Sequence, residues 1–558
     1  MPNWSEGYMT EIEYVYTYHS HLNPLHMQLA LASAGVAPPQ VKTACELGFG
    51  QGVSINMHAA ASSSVWYGTD FHPGHTAFAQ ELATASSLNT FLFDQSFADF
   101  CSRPDLPDFE LIVLHGIWSW ISDANRSVII DFVRRKLKPG GVLSVSYNTL
   151  HGWSGMLPTR DLLTEHAQRM SAPGLGIASR VDVALEFADQ VLAACPKYAK
   201  SNLLIVQKLI EMKGQDRRYV AGEYFSRDWQ PMPFSDVADW LASAKLMFVC
   251  SAEYSHQVDA VRLTQPQQNL LKDIPDPQFR ETVRDFCLEQ SFRKDYWIKG
   301  GGKLSPQDCN EIIRAQRVVL VRPADNVHFR TLMADNRAAM TAVEGKPLLD
   351  ALADHKPCTL GDLAFRVPHM TFDRMLQFVL VMAGDGYIQS AQDDHAISTA
   401  LVKGSAQRLN GALMQKAKTL QGVNYLASPV TGGGVPVARY HQLFLLARSK
   451  GLELPAEWAQ ITLHCLAARG ERVERAAWAD RKPDEVLSDL VQQAQATGHK
   501  NPQAWAQSTL AFLQEHNHRP VEPYEPLLSP EDELCELIAQ AKVFFDRHLP
   551  MLVLLGVA

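Results

Sequence analysis

Between about residues 41 and 150, short continuous apolar runs alternate with segments whose apolar residues recur every three or four positions. The runs VKTACELG, SSVWYGTDF, TFLFDQSF, FELIVLHGI and VLSVSYNT predict strands buried on both faces. The stretches QGVSINMHAAAS, PGHTAFAQELATAS and DANRSVIIDFVRRKLKPGG have helical spacing. The last carries basic residues in its final turn before a Pro-Gly-Gly stop, as the helix dipole and C-terminal signals favour. This strand–helix alternation predicts a parallel sheet with helices on both faces, an α/β fold.

Two later strand-like runs follow, KLMFVCSAEY at 245–254 and QRVVLVRPA at 316–324, with helical sequence around them. They predict one sheet domain over 41–325 with helical insertions at about 155–235 and 262–312, behind an N-terminal lid segment over 1–40. After Arg322-Pro323 the pattern becomes three helices, a glycine-marked turn and a short strand. That order resembles a winged-helix fold, placed at 326–400. Residues 401–558 read as helical, broken by SPVTGGGVPV and HRPVEPYEPLLSPEDE. The closing HLPMLVLLGVA is too short to span a bilayer and reads as a buried helix end.

Composition narrows the class. A chain of 558 residues exceeds one hydrophobic core, so several domains are expected. The net charge of -9 is dispersed, which argues against nucleic-acid or anionic-membrane binding. Nine scattered cysteines with no C-x-x-C fit reduced thiols in a cytoplasm rather than a disulfide framework. The N-terminus lacks the basic and apolar pattern of a signal peptide.

The chemistry concentrates in ACELGFGQG. Glycines at 48, 50 and 52 follow a strand and precede a helix, a turn built for close approach of a nucleotide. Glu46 just before them would repel a pyrophosphate but suits a ligand ending in an amino acid. Asp70 closes the second strand, where a carboxylate accepts from both ribose hydroxyls. Asp94 closes the third, followed by Gln95 and Ser96, placed to meet an adenine amino group and ring nitrogen. The predicted cofactor set is Glu46, Gly48, Phe49, Gly50, Gly52, Asp70, Phe71, Asp94, Gln95, Ser96, His115 and Gly116.

This pattern, with the KLKPGGVL turn before strand five, resembles the class I S-adenosylmethionine-dependent methyltransferases, in register over roughly 41–150. In that resemblance the strands at 245 and 316 are the sixth and seventh, the last antiparallel. GYMTEIEYVYTYHSHLNP, CELGFGQG, WYGTDFHP and LHGIWSWI further resemble bacterial methyltransferases carrying a methyltransferase regulatory domain. More distantly the architecture is similar to the rickettsial protein-lysine methyltransferases. The resemblance implies S-adenosylmethionine as cofactor, a protein acceptor or one related to the cell surface, and a homodimer.

Methyl transfer requires alignment of the acceptor and exclusion of water. The ends of strands four and five should face the transferred group, which makes His115 a candidate base or sulfonium neighbour against the alternative of a packed histidine. Trp118 and Trp120 are candidates for an acceptor channel against core packing. Tyr14 and Tyr18, in the alternating YVYTYHSHLNP, are candidates for cofactor or acceptor contact. The Asn/Asp-Pro-Pro-aromatic and Pro-Cys motifs of nucleobase enzymes are absent. His19-x-His21 and His516-x-His518 have no further ligand nearby in sequence, so no metal is predicted. TGGGVPVARYHQL reads as a phosphate cradle or a plain turn. Two other functions fit the residues: a surface-polysaccharide or small-molecule O/N-methyltransferase, and a non-catalytic cofactor-binding regulator.

Overall fold

The computed structural model describes residues 15–88, 90–172, 174–324, 333–334, 337–338, 342–473, 491, 503 and 530–558. The five strands expected near the N-terminus form as β1 (Thr43–Leu47), β2 (Val65–Asp70), β3 (Thr90–Asp94), β4 (Phe109–Leu114) and β5 (Leu137–Asn148), all mutually parallel. With β6 (Leu246–Ser251) and β7 (Phe292–Lys299) they make a seven-stranded sheet in the order β3-β2-β1-β4-β5-β7-β6. β7 lies antiparallel between β5 and β6.

Helices cover both faces. α1 (Pro24–Ser33), α2 (Val53–Ala61) and α3 (Pro73–Ala85) share a face with the middle of the chain; α5 (Asp123–Lys136), which follows the short α4 (Phe97–Cys101), lies on the other. Alternate strand residues serve alternate cores, as a period of two demands. Leu111, Val113, Val142, Tyr296 and Ile298 enter one core, whereas Ile112, Leu114, Leu143, Val145 and Trp297 enter the other.

The seventh strand is not the one expected. It lies at 292–299, inside a stretch read as helical, and the strand near 316 belongs elsewhere. β8 (Arg317–Leu320) pairs antiparallel with Cys358–Thr359 and Ile388–Ser390 in a separate three-stranded sheet. The helices Ala342–Leu352, Leu360–Arg366 and Phe372–Gly384 pack around that sheet. The reason lies in the sequence FRKDYWIK. Arg293 and Asp295 look like surface residues, yet both are buried in β7. Arg293 pairs with Asp295 at 2.8 Å and Asp285 at 2.7 Å, and Tyr147 donates to Asp295 at 2.7 Å. Mutual neutralisation makes charged residues tolerable inside a sheet.

Between β5 and β6 the helices Leu157–Arg169, Ile177–Ala194, Leu203–Gly214 and Arg217–Phe225 form their own small core around Leu163, Val181, Leu209 and Tyr224. Toward the C-terminus the hairpin Tyr425–Ser428/Gly433–Pro436 packs on α2. The glycines of TGGGVPV serve that packing, not a phosphate. A Cβ at Gly433 would lie 2.4 Å from the Tyr18 hydroxyl, and one at Gly434 would lie 2.7 Å from Met57 Sδ. The helix Leu549–Leu554 buries Leu549, Met551 and Leu552 in the same core. No helix among the described residues is long and apolar enough to cross a membrane.

Candidate functional site

β1 delivers the chain into the glycine turn at the C-terminal edge of the sheet, where open α/β sheets bind ligands. Gly48, Gly50 and Gly52 all have positive φ, at 76°, 56° and 67°. A Cβ at Gly52 would lie 2.4 Å from Ala79 Cβ, so the turn presses directly on α3. At the end of β2, Asp70 fastens it: Gly50 N–H donates to Oδ2 at 2.8 Å and His72 N–H to Oδ1 at 2.9 Å. His75, in the first turns of α3, places Nδ1 3.2 Å from the same Oδ1.

A cleft of about 900 Å³, counting its open mouth, lies over this edge. Of the predicted cofactor residues, Gly48, Gly50, Asp70, Phe71, Gln95, Ser96, His115 and Gly116 line it. Glu46 and Phe49 are buried beneath the turn, and Gly52 caps α2. Asp94 is exposed at the end of β3, outside the lining, and its neighbour Gln95 faces the cleft instead. Trp118 is fully buried, with its backbone oxygen bound by Arg126 Nε at 3.1 Å, while Trp120 lines the cleft. Tyr18 points into the core between α2 and the 425–436 hairpin, its hydroxyl 3.2 Å from His58 Nε2, so it does not reach the cleft. Tyr14 lies outside the described residues.

Three buried polar side-chain atoms here have no partner: Glu46 Oε2, His75 Nε2 and Gln95 Oε1. His75 Nδ1 must carry a hydrogen, because the carboxylate it meets only accepts, which leaves Nε2 as the ring atom turned to a ligand. Buried polar atoms without partners are uncommon, and each asks for a partner. Burial, with Asp70 nearby, pushes the Glu46 carboxyl up to about 8. The lining includes two carboxylates, Asp70 and Asp228, and no lysine or arginine.

The structure also brings together what the sequence separates. His115, at the end of β4, meets His19 and His21 from the segment before α1. His115 Nδ1 lies 3.1 Å from His21 Nε2 and 3.0 Å from Ser146 Oγ, which accepts from Gly116 N–H. The rings of His19 and His115 are 3.8 Å apart. Burial holds all three imidazoles below their ordinary range, His19 at about 4, and the nearby Lys294 adds to the effect. Sequence reasoning missed His75, Phe97, Ile117, Ile121, Ser122, Asn125 and Asp228 in the lining. His75, five residues past Asp70 on the next helix, was within reach of helical spacing; Asp228 arrives from the helical insertion with no local signal.

A glycine turn after β1, a carboxylate ending β2, and an antiparallel β7 between β5 and β6 define the fold of the class I S-adenosylmethionine-dependent methyltransferases. Residues 216–299 match the family described as a predicted methyltransferase regulatory domain. The Synechocystis sp. protein sll1526 is 34% identical over 477 residues, which span 84% of this chain and 92% of that protein. The chain belongs to this family of bacterial proteins, a class I methyltransferase fold with a methyltransferase regulatory domain. Protein RP028 of Rickettsia prowazekii is 28% identical over 162 residues, 28% of this chain and 64% of that protein. PKMT2 from Rickettsia typhi, solved in complex with AdoHcy, superposes with a TM-score of 0.60 at 17% identity, covering 90% of this chain and 98% of that one. The matched segment 216–299 contains both β6 and β7 and contributes Asp228 to the cleft.

Proposed function

We propose that this protein is an S-adenosylmethionine-dependent methyltransferase acting on a protein, with a lysine side chain as acceptor. The observation that carries the reading is the set of unpartnered polar atoms, Glu46 Oε2, His75 Nε2 and Gln95 Oε1, around a cleft whose lining has carboxylates but no lysine or arginine. S-adenosylmethionine has donors of the matching kinds: an ammonium, a ribose diol and an adenine amino group. When bound it supplies a methyl group on a positively charged sulfonium sulfur.

The chain's residues then divide the work. Glu46 takes the ammonium and ionises in doing so. Asp70 already accepts three hydrogen bonds, and a carboxylate offers about four positions, so His75 Nε2 shares the ribose hydroxyls with it. Gln95 accepts from the adenine amino group, the part expected of Asp94. Phe71, Phe97 and Ile117 give the cleft apolar walls that exclude water. On the acceptor side, Asp228 attracts a lysine ammonium and offers an acceptor for the proton it must lose. The likeness in fold to PKMT2 over 90% of the chain supports a protein acceptor.

Label transfer tests the reading. The purified protein is incubated with methyl-labelled S-adenosylmethionine and a lysate of its source, and half is digested with protease. Label in a protease-sensitive band is the expected result. Label that survives protease would replace the protein by a glycan or small molecule. No label, with cofactor binding intact by calorimetry, would make the protein a regulator.

A further inference from the structure

His19, His21 and His115 converge at the C-terminal edge of the sheet, and one ring-nitrogen atom from each lies within 4.8 Å of the other two. Two neighbouring histidines stay out of the group. His26 directs Nε2 to the Ala252 carbonyl at 2.8 Å and stacks on Tyr254, and His58 turns to Tyr18. The backbone fixes the group: His19 N–H donates to Ser54 Oγ at 2.9 Å, and His115 sits on the last turn out of β4 beside Ser146.

We propose that His19, His21 and His115 hold one divalent transition-metal ion of the zinc class, with a coordination position open to the cleft that His115 lines. Imidazole is a favoured ligand for zinc, copper, nickel and iron, and three protein ligands with one position free is the arrangement of catalytic zinc. With zinc–nitrogen bonds of about 2.1 Å, two tetrahedral ligand atoms sit about 3.4 Å apart. The His21 Nε2 to His115 Nδ1 separation of 3.1 Å is close to that edge. Binding breaks this contact and forms metal–nitrogen bonds to both atoms; the ring that donated its N–H in the contact carries that hydrogen on its other nitrogen instead, so both rings ligate as uncharged imidazoles. Lys294 opposes the ion, and Glu253 engages its ammonium at 2.9 Å. At its open position the ion takes a nitrogen, oxygen or sulfur donor of the acceptor and makes it more acidic. That role rests on the methyl-transfer reading; the metal site does not.

The test uses the full-length protein, stripped with a chelator and free of S-adenosylmethionine, so that failure of methyl transfer leaves it unaffected. Zinc and cobalt(II) are titrated by calorimetry in two buffers, and cobalt is followed by its visible ligand-field bands. The expected result is one equivalent bound at neutral pH with nearly the same enthalpy in both buffers, because uncharged imidazoles have no proton to give up. Affinity should fall roughly tenfold or more in each of His19→Ala, His21→Gln and His115→Asn. His19 is only partly buried, so its variant guards against loss of folding, checked by thermal melts. Absence of stoichiometric binding would overturn the proposal. So would a cobalt–thiolate charge-transfer band, or binding unchanged in all three variants, which would place the metal elsewhere.

Discussion

At the scale of single residues, the site turns on Asp70 and Glu46, which do different work with the same group. Asp70 holds the glycine turn by accepting from Gly50 and His72 N–H. Charge-assisted bonds of this kind are each worth roughly 1.5–3 kcal/mol, so Asp70→Ala should weaken S-adenosylmethionine binding well beyond tenfold by calorimetry. Unchanged binding would move the ribose site elsewhere. Glu46 has a carboxyl pushed up to about 8 by burial. It is protonated at pH 7 in the free protein, and a bound ammonium drives that proton off. Cofactor binding at pH 7 should therefore release close to one proton, seen as a buffer-dependent enthalpy, and Glu46→Gln should abolish the release. Gly52→Ala would force a Cβ to within 2.4 Å of Ala79 Cβ at a φ of 67°. Overpacking and left-handed strain each cost about 1–3 kcal/mol, measurable by denaturant unfolding. The glycines and Asp70 were legible in the sequence because turn chemistry is local. That Gln95 and not Asp94 lines the cleft was not, because which of two adjacent side chains faces a cleft depends on where β3 ends.

At the scale of elements, the same divide recurs. The first five strands announced themselves as apolar runs buried on both faces. β7 did not, because its inward positions carry Arg293 and Asp295, whose burial makes sense only once Asp285, Glu281 and Tyr147 are brought around them. Conversely, RVVL at 317–320 reads as a central strand, yet it anchors the small sheet with 358–359 and 388–390. Apolar character tells that a strand is buried, not in which sheet. The Arg293 cluster makes its own prediction. Removing one partner of a buried charge group costs about 3–5 kcal/mol, so Arg293→Met should lower the unfolding free energy by that order. A change below 1 kcal/mol would mean the acids there are already protonated. The N-terminal segment was read as a lid from its alternating tyrosines. Its histidines are what reach His115, while Tyr18 serves the hairpin core.

At the scale of the whole molecule, buried titratable groups set the pH range of stability. Burial lowers His19, His26 and His256 to about 4 and His58 and His441 to about 3, from about 6.5 when unfolded. Below pH 6.5 the unfolded chain binds these protons and the folded chain does not, so stability falls as pH drops toward 4. Glu46 at about 8, Glu223 at about 7 and Asp285 at about 6 have the opposite sign. Their folded forms keep protons that the unfolded chain has released, so stability also falls as pH rises from about 4.3 to 8. Five histidines outweigh three carboxyls on the acid side. Urea unfolding should therefore show an optimum near pH 6.5, a steep acid limb and a shallow alkaline one; a flat acid limb would contradict the burial of the histidines. One further consequence follows from the segment 216–299, whose two strands close the main sheet. A fragment ending at residue 215 would leave the β5 edge unpaired along Val142–Asn148, a template for aggregation rather than an enzyme freed from its regulator. A gene cut at that boundary would yield two products that depend on each other's presence to become soluble, complementing as halves of one sheet.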